Sequence, residues 1–305
     1  MTAAAAAPLR PLVTAPVRVL TVAAVFPAAV YLAEPSTGRV VLSVVAADGV
    51  AQPNAVRLQV VSGSRPFAGI RDGERIEVGE HRVGLPIGSV SITRWWSPRP
   101  TLGHRTPERL ASMADRLRAD VATRTEPLPD EVSQRFTALT IAVAAGRRQA
   151  ATDAVDHLLG LGAGLTPTGD DLIAGLLAAT STLAPVMVQG PGLGAPSIDA
   201  LGGVVDRIDA RADAATSAIS AALLRHATLG EVCEPAAQVL RKLGGSPSRA
   251  RGRASDALTA LLRVGGTSGR DLALGLLAGA RLVSTGPAPD HPAPARALHT
   301  SSRSS

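Results

Sequence analysis

The chain predicts an α+β protein: a β-rich barrel or sandwich over residues 15–98, a mainly α-helical domain with a glycine-rich loop over 105–285, and a disordered tail over 286–305. Three observations carry this. Residues 17–98 are a succession of short β-capable runs cut by Gly, Pro, Asp and Asn. From Thr106 onward, apolar residues recur at helical spacing. Two similar glycine-containing segments, 160–179 and 264–280, each lead into an apolar helix.

Taken in order, MTAAAAAPLRPLVT at 1–14 is low in complexity and reads as a loose leader. The runs VRVLTVAAVF, AAVYLAE, RVVLSVVA, AVRLQVV, FAGI, RIEVG, HRVGL and SVSITRWW follow. Their punctuation suits a small antiparallel barrel or sandwich. Asp72-Gly73 is a turn candidate, and Phe67 and Ile70 are expected to face inward. Trp95-Trp96 ends the region, where one indole could seal the small domain or stack on a ligand. His81 and His104 have no metal-ligand spacing between them.

The stretch PRPTLGHRTPE at 98–108 marks a boundary, and Pro107 suits a helical first turn. Helices are expected over 108–125, 130–149 and 150–160. Phe136, Leu139 and Val143 form the buried stripe of the second. His157, just before the glycine loop, could be an acid, a base or a structural residue. Residues 180–202 read as a loop and 203–231 as helix, with Thr216, Ser217 and Ser220 as a hydroxyl-rich patch. Helices at 232–243 and 254–264 flank a basic linker, and the chain ends in a polar tail.

The central stretch is GLGAGLTPTGDDLIAGLLAA at 160–179. Thr168 is expected as an N-cap, with Thr168 and Asp171 at the spacing of a capping box. Capping accounts for those two residues but not for Asp170 or for the glycines. A glycine-rich loop entering a helix can also present amides to an anion. No Gly-Lys-Ser/Thr follows, so this is not a P-loop, and a parallel-sheet context for a dinucleotide fingerprint is missing.

The second copy, VGGTSGRDLALGLLAGA, aligns Ser268-Gly269-Arg270-Asp271 with Thr168-Gly169-Asp170-Asp171. Gly275 likewise aligns with Gly175, inside the helices, where glycine costs about 1 kcal/mol relative to alanine. Close helix contact or approach to a ligand would justify it. The two helices are therefore expected to pack with their N-termini at one site. There Asp170, Asp171 and Arg270 are the candidate catalytic groups. Gly162, Gly164, Thr166, Thr168 and Gly169 from the first copy are candidate ligand contacts. Thr267, Ser268, Gly269 and Asp271 join them from the second. Arg270 could grip a phosphate or carboxylate, or it could be half of a surface ion pair.

Composition narrows the chemistry. The 305 residues accommodate two domains or one large one. The hydrophobic fraction of 46% supports a real core, and three Phe, one Tyr and two Trp make that core aliphatic. Lys242 is the sole lysine, which argues against Schiff-base or Walker-type lysine chemistry. The net charge of +6 is spread along the chain, without an aromatic-interleaved basic patch, so nucleic acid is not an expected partner. Cys233, the single cysteine, excludes an intrachain disulfide and a cysteine-cluster zinc site, and buried packing suits it better than nucleophilic use. No clean apolar span of about 20 residues is present, so no membrane is expected and the protein is read as cytoplasmic.

At GLGAGLTPTGDDLIAG (160–175), TSAISAALLRHATLGE (216–231) and LLRVGGTSGRDLALGLLAG (261–279) the chain resembles a bacterial family. That family includes the AllH-type subunit of oxamate carbamoyltransferase, from anaerobic allantoin (purine) degradation. The resemblance extends over most of 17–283. Gly266 stands where the family often has a histidine. The resemblance implies partner subunits in a hetero-complex and a reaction interconverting oxalurate plus phosphate with oxamate plus carbamoyl phosphate. On that reading loop amides, Thr166, Thr168 and Arg270 hold phosphate oxygens, while Asp170 or Asp171 orients the nitrogen nucleophile or acts as base. Magnesium on the aspartates is a variant. The rival readings are a non-catalytic small-anion-binding, scaffold or regulatory protein, and two capped helices packed through glycine with no ligand at all.

Overall fold

The computed structural model describes residues 1–187, 193–245 and 253–285. The basic linker, except its ends, and the C-terminal tail fall outside them.

The N-terminal part is a closed eight-stranded barrel. Its strands are β1 (Thr2–Ala6), β2 (Arg18–Phe26), β3 (Ala29–Ala33), β4 (Val40–Val45), β5 (Ala55–Leu58), β6 (Arg75–Gly79), β7 (Arg82–Leu85) and β8 (Gly88–Trp96). They run around the barrel as β1-β5-β4-β3-β2-β6-β7-β8. Closure removes the exposed edges that an open sheet would present. The core is aliphatic, with Leu20, Leu32, Leu42, Val56, Ile76 and Val83 among its members, and Phe67 and Ile70 pack into it.

Three expectations are corrected here. The supposed leader is the closing strand. Ala3 pairs with Leu58 of β5 and, in parallel, with Ile92 of β8, and Ala3, Ala5 and Ala6 are fully buried. Alanine is a poor strand former, and tertiary pairing overrides its propensity where only a small side chain fits. The barrel is also not purely antiparallel: β1–β8 and β4–β5 are parallel pairs. The run FAGI forms turns rather than a strand.

The helical part contains α2 (Pro107–Arg124), α3 (Asp130–Ala144), α4 (Arg148–Asp156), α5 (Thr168–Leu183), α6 (Ala195–Ala215), α7 (Ala218–Thr228), α8 (Glu234–Gly244), α9 (Ala254–Leu262) and α10 (Ser268–Thr285); a short α1 (Arg10–Thr14) belongs to the barrel. The expected 203–231 helix is two helices, broken at Thr216-Ser217, and its first half begins inside the expected loop. Ser217 caps α7, its hydroxyl accepting from the Ser220 N–H at 3.0 Å.

Helices α5 and α10 form the centre. Almost every residue of α5 is buried, as expected of a helix that is apolar all round. A Cβ on Gly175 would lie 2.4 Å from the Leu272 carbonyl oxygen, and one on Gly275 would lie 2.2 Å from that of Leu172. The matching glycines thus let the two backbones touch. Around this pair, α2 packs on α10 and α7 on α5. The barrel joins the helices where Ala33 and Val40 meet Ile219 and Ala222 of α7, flanked by an Arg39–Asp213 ion pair at 2.7 Å.

Candidate functional site

Glycine contact along α5 and α10 brings the two helix starts together, and the Thr166 and Ser268 hydroxyls hydrogen-bond at 2.7 Å. The local designs match. The Gly169 N–H donates to Leu161 O at 2.9 Å and the Gly269 N–H to Val264 O at 2.9 Å. The Asp171 N–H donates to Pro167 O and the Asp271 N–H to Thr267 O. Pro167, not Thr168, is the N-cap of α5, and no side chain caps it. Thr168 instead lies against the loop: a Cβ on Gly162, at φ 120°, would lie 2.7 Å from its nitrogen. The expected Thr168–Asp171 capping box is therefore absent, and Asp171 is released for another role.

In front of the paired starts lies a cavity of about 600 Å³. One wall comes from the loops and helices: Gly164, Thr166, Asp171, Cys233, Thr267 and Ser268. The other comes from the barrel, through Phe26, Tyr31, Val45 and the 49–52 segment. The Phe26 and Tyr31 rings meet edge to face at 5.9 Å. The lining is mainly apolar and its described residues include no Arg, Lys or His.

Asp171 is the singular group in this cavity. It is 8% exposed, and its Oδ2 has no hydrogen-bond partner. Burial pushes its pKa up to about 8 against hydrogen bonds from Ser268 and Thr166, and the nearby Asp271 and Asp170 carboxylates push the same way. At neutral pH it is mainly the neutral acid. Cys233, on the same lining, is held as a thiol by burial, its pKa raised to about 11. Burial also raises Tyr31.

Asp170 points elsewhere. Its Oδ1 accepts the Gly160 N–H at 2.8 Å, and its Oδ2 accepts the hydroxyls of Ser220, at 2.6 Å, and Thr216. Burial raises its pKa while these three donors oppose the rise. Asp170 thereby pins the start of the glycine loop to the α6–α7 corner. The hydroxyl patch at 216–220 is its partner, a pairing visible in residue types but not in spacing.

Arg270 also leaves the cleft. Its Nε donates to Asp271 Oδ1 at 2.6 Å, and its Nη1 reaches the carbonyls of Glu126 and Pro127. Asp170 and Arg270 thus do not meet as a carboxylate–guanidinium pair in one cleft. Of the other candidates, Gly164, Thr166, Thr267 and Ser268 line the cavity; Gly162, Thr168, Gly169, Gly269 and Asp271 stand behind it. His157 Nδ1 lies 2.7 Å from Asp153 O and is not in the lining.

The residues do not fit a protein-built magnesium cage. Asp170 is committed to three donors, and among the described residues no group of three His, Cys, Asp or Glu could hold a metal ion. No helix among them is long and apolar enough to cross a membrane.

Residues 158–280 match the family model described as "Oxamate carbamoyltransferase subunit AllH", which supports the AllH-type resemblance over that segment. The match is narrower than the 17–283 span expected from the sequence, and the barrel lies outside it. No curated protein and no solved structure matches the chain.

Proposed function

We propose that this chain, AllH-type over residues 158–280, serves as a cytoplasmic subunit of a carbamoyltransferase-like complex, and that the Asp171 cavity receives its small anionic substrate, of the oxamate or oxalurate kind. The observation that carries the reading is the convergence of two helix N-termini on a cavity whose one buried carboxyl has an unpartnered oxygen. Helix starts and hydroxyls favour an anion. A neutral Asp171 removes the repulsion that an ionised carboxylate would exert and offers a proton donor.

With carbamoyl phosphate as the second substrate, the step is acyl transfer. The amide nitrogen of oxamate bonds to the carbamoyl carbon, the bond from that carbon to the phosphate oxygen breaks, and inorganic phosphate leaves. The nitrogen loses a proton, which the departing phosphate takes up, while the neutral Asp171 orients the substrate by donating a hydrogen bond to it. Thr166, Ser268 and Thr267 orient the substrate through their hydroxyls. The barrel wall of Phe26 and Tyr31 excludes water from one side.

Calorimetry of the purified chain with oxamate, carbamoyl phosphate and phosphate, each with and without magnesium, tests the binding claim. A turnover assay with and without partner subunits separates a catalytic subunit from a binding or regulatory one. Binding that Asp171→Asn leaves unchanged at every pH would remove the cavity from the account. Under the non-catalytic reading, the same cavity binds the anion and the complex turns over unaffected by substitution at Asp171.

A further inference from the structure

A second cavity, of about 700 Å³, lies on the other side of the barrel–helix junction, between β1, β5, β8 and α8. Its chemistry is the opposite of the first. Arg57, Arg94 and Arg241 line it with Glu234 as the one carboxylate, so the lining carries three positive charges against one negative. Trp95 and Trp96, the only tryptophans of the chain, line it too. Arg241 is held by Glu234 at 2.9 Å. Arg57 reaches the Ala47 carbonyl, with its Nε at 3.1 Å. Arg94 is exposed, and its guanidinium makes no hydrogen bond or ion pair among the described residues. One indole already takes a cation: the Arg10 guanidinium stands 4.4 Å over the Trp95 ring.

We propose that this cavity is a binding site for a nucleoside diphosphate. Guanidinium groups match phosphate oxygens in bidentate geometry, and an indole offers a face on which a planar base can stack. The volume is within the ordinary range for a small-molecule site. The site stands apart from the proposed substrate cavity and does not depend on it. The two share a partition: Val50, Gln52 and Cys233 face the first cavity, while Ala51 and Glu234 face the second, and the Glu234 N–H donates to Ala51 O at 3.1 Å.

Because both tryptophans line this cavity, the tryptophan emission of the full chain, excited where Tyr31 does not absorb, reports on it. Titration with ADP is expected to change that emission saturably. Adenosine and inorganic phosphate, each supplying half of the chemistry, are expected to bind at least tenfold more weakly. Arg94→Ala is expected to raise the ADP Kd at least tenfold with an unchanged melting temperature, and Asp171→Asn to leave it unchanged. Phosphate binding as tightly as ADP would overturn the nucleotide assignment. No saturable response to ADP, or a response that Arg94→Ala leaves intact, would overturn the site. Trp96→Ala and Trp96→Phe, followed by calorimetry rather than fluorescence, check stacking independently: the alanine variant should lose at least tenfold in ADP affinity while a retained phenyl ring keeps most of it, and an alanine variant that binds as tightly as the wild type would contradict a stacking role.

Discussion

Two cavities flank one junction and solve opposite problems. The Asp171 cavity is apolar, carries a buried acid and has no cationic side chain among its described lining residues. The Trp95–Trp96 cavity carries three arginines and one glutamate beside two indoles. The first relies on helix starts and on suppressing its own charge. The second relies on full charges that solvent still reaches. An anion can be accommodated either way, but the first way ties binding to the protonation of one carboxyl, and the second ties it to ionic strength.

The sharpest break in the comparison comes from the helix seam, since only the first cavity is built on it. Gly275→Ala places a Cβ 2.2 Å from the Leu172 carbonyl oxygen, where backbone must move. A loss of about 3 kcal/mol, at the upper end for overpacking, is expected in denaturant titration. Asp170→Ala should come next, leaving the donors Gly160, Thr216 and Ser220 without their acceptor. About 2–3 kcal/mol should be lost, and the glycine loop should gain hydrogen exchange.

Asp171 gives an effect that varies with pH rather than a fixed loss. Its carboxyl is raised from 3.8 in the unfolded chain to about 8 in the fold, so the native state binds the proton more tightly. The stability this contributes is fully present below pH 3.8 and is lost as pH rises toward about 8. The slope is at most about 1.4 kcal/mol per pH unit. Asp171→Asn should flatten that slope in melting curves taken across the window. The smallest effect belongs to the other cavity: Arg94→Ala should change stability by less than about 0.5 kcal/mol at any pH.

The sequence announced one side of the first cavity and none of the second. The paired motifs at 160–179 and 264–280 carry their meaning locally, because small residues, helix starts and a constant offset are all written in the chain. The convergence of Thr166 and Ser268 follows from them. What each acidic or basic side chain does was not local. Asp170 turns to hydroxyls about fifty residues away and Arg270 to carbonyls more than a hundred residues back, and neither distance leaves a trace in the motif. The barrel walls were hidden for the same reason: Tyr31 and Arg94 reach their cavities only because a closed barrel presents them there. Strand β1 was hidden by its alanines, whose pairing is a tertiary fact.

The account rests on the charge state of Asp171 deciding what the first cavity accepts. Oxamate affinity measured by calorimetry from pH 6 to 9.5, on the full chain and on Asp171→Asn, tests this directly. The wild-type affinity should hold to about pH 8 and then fall, by up to about tenfold per further pH unit, while the variant stays level. Identical pH profiles for the two proteins would contradict it.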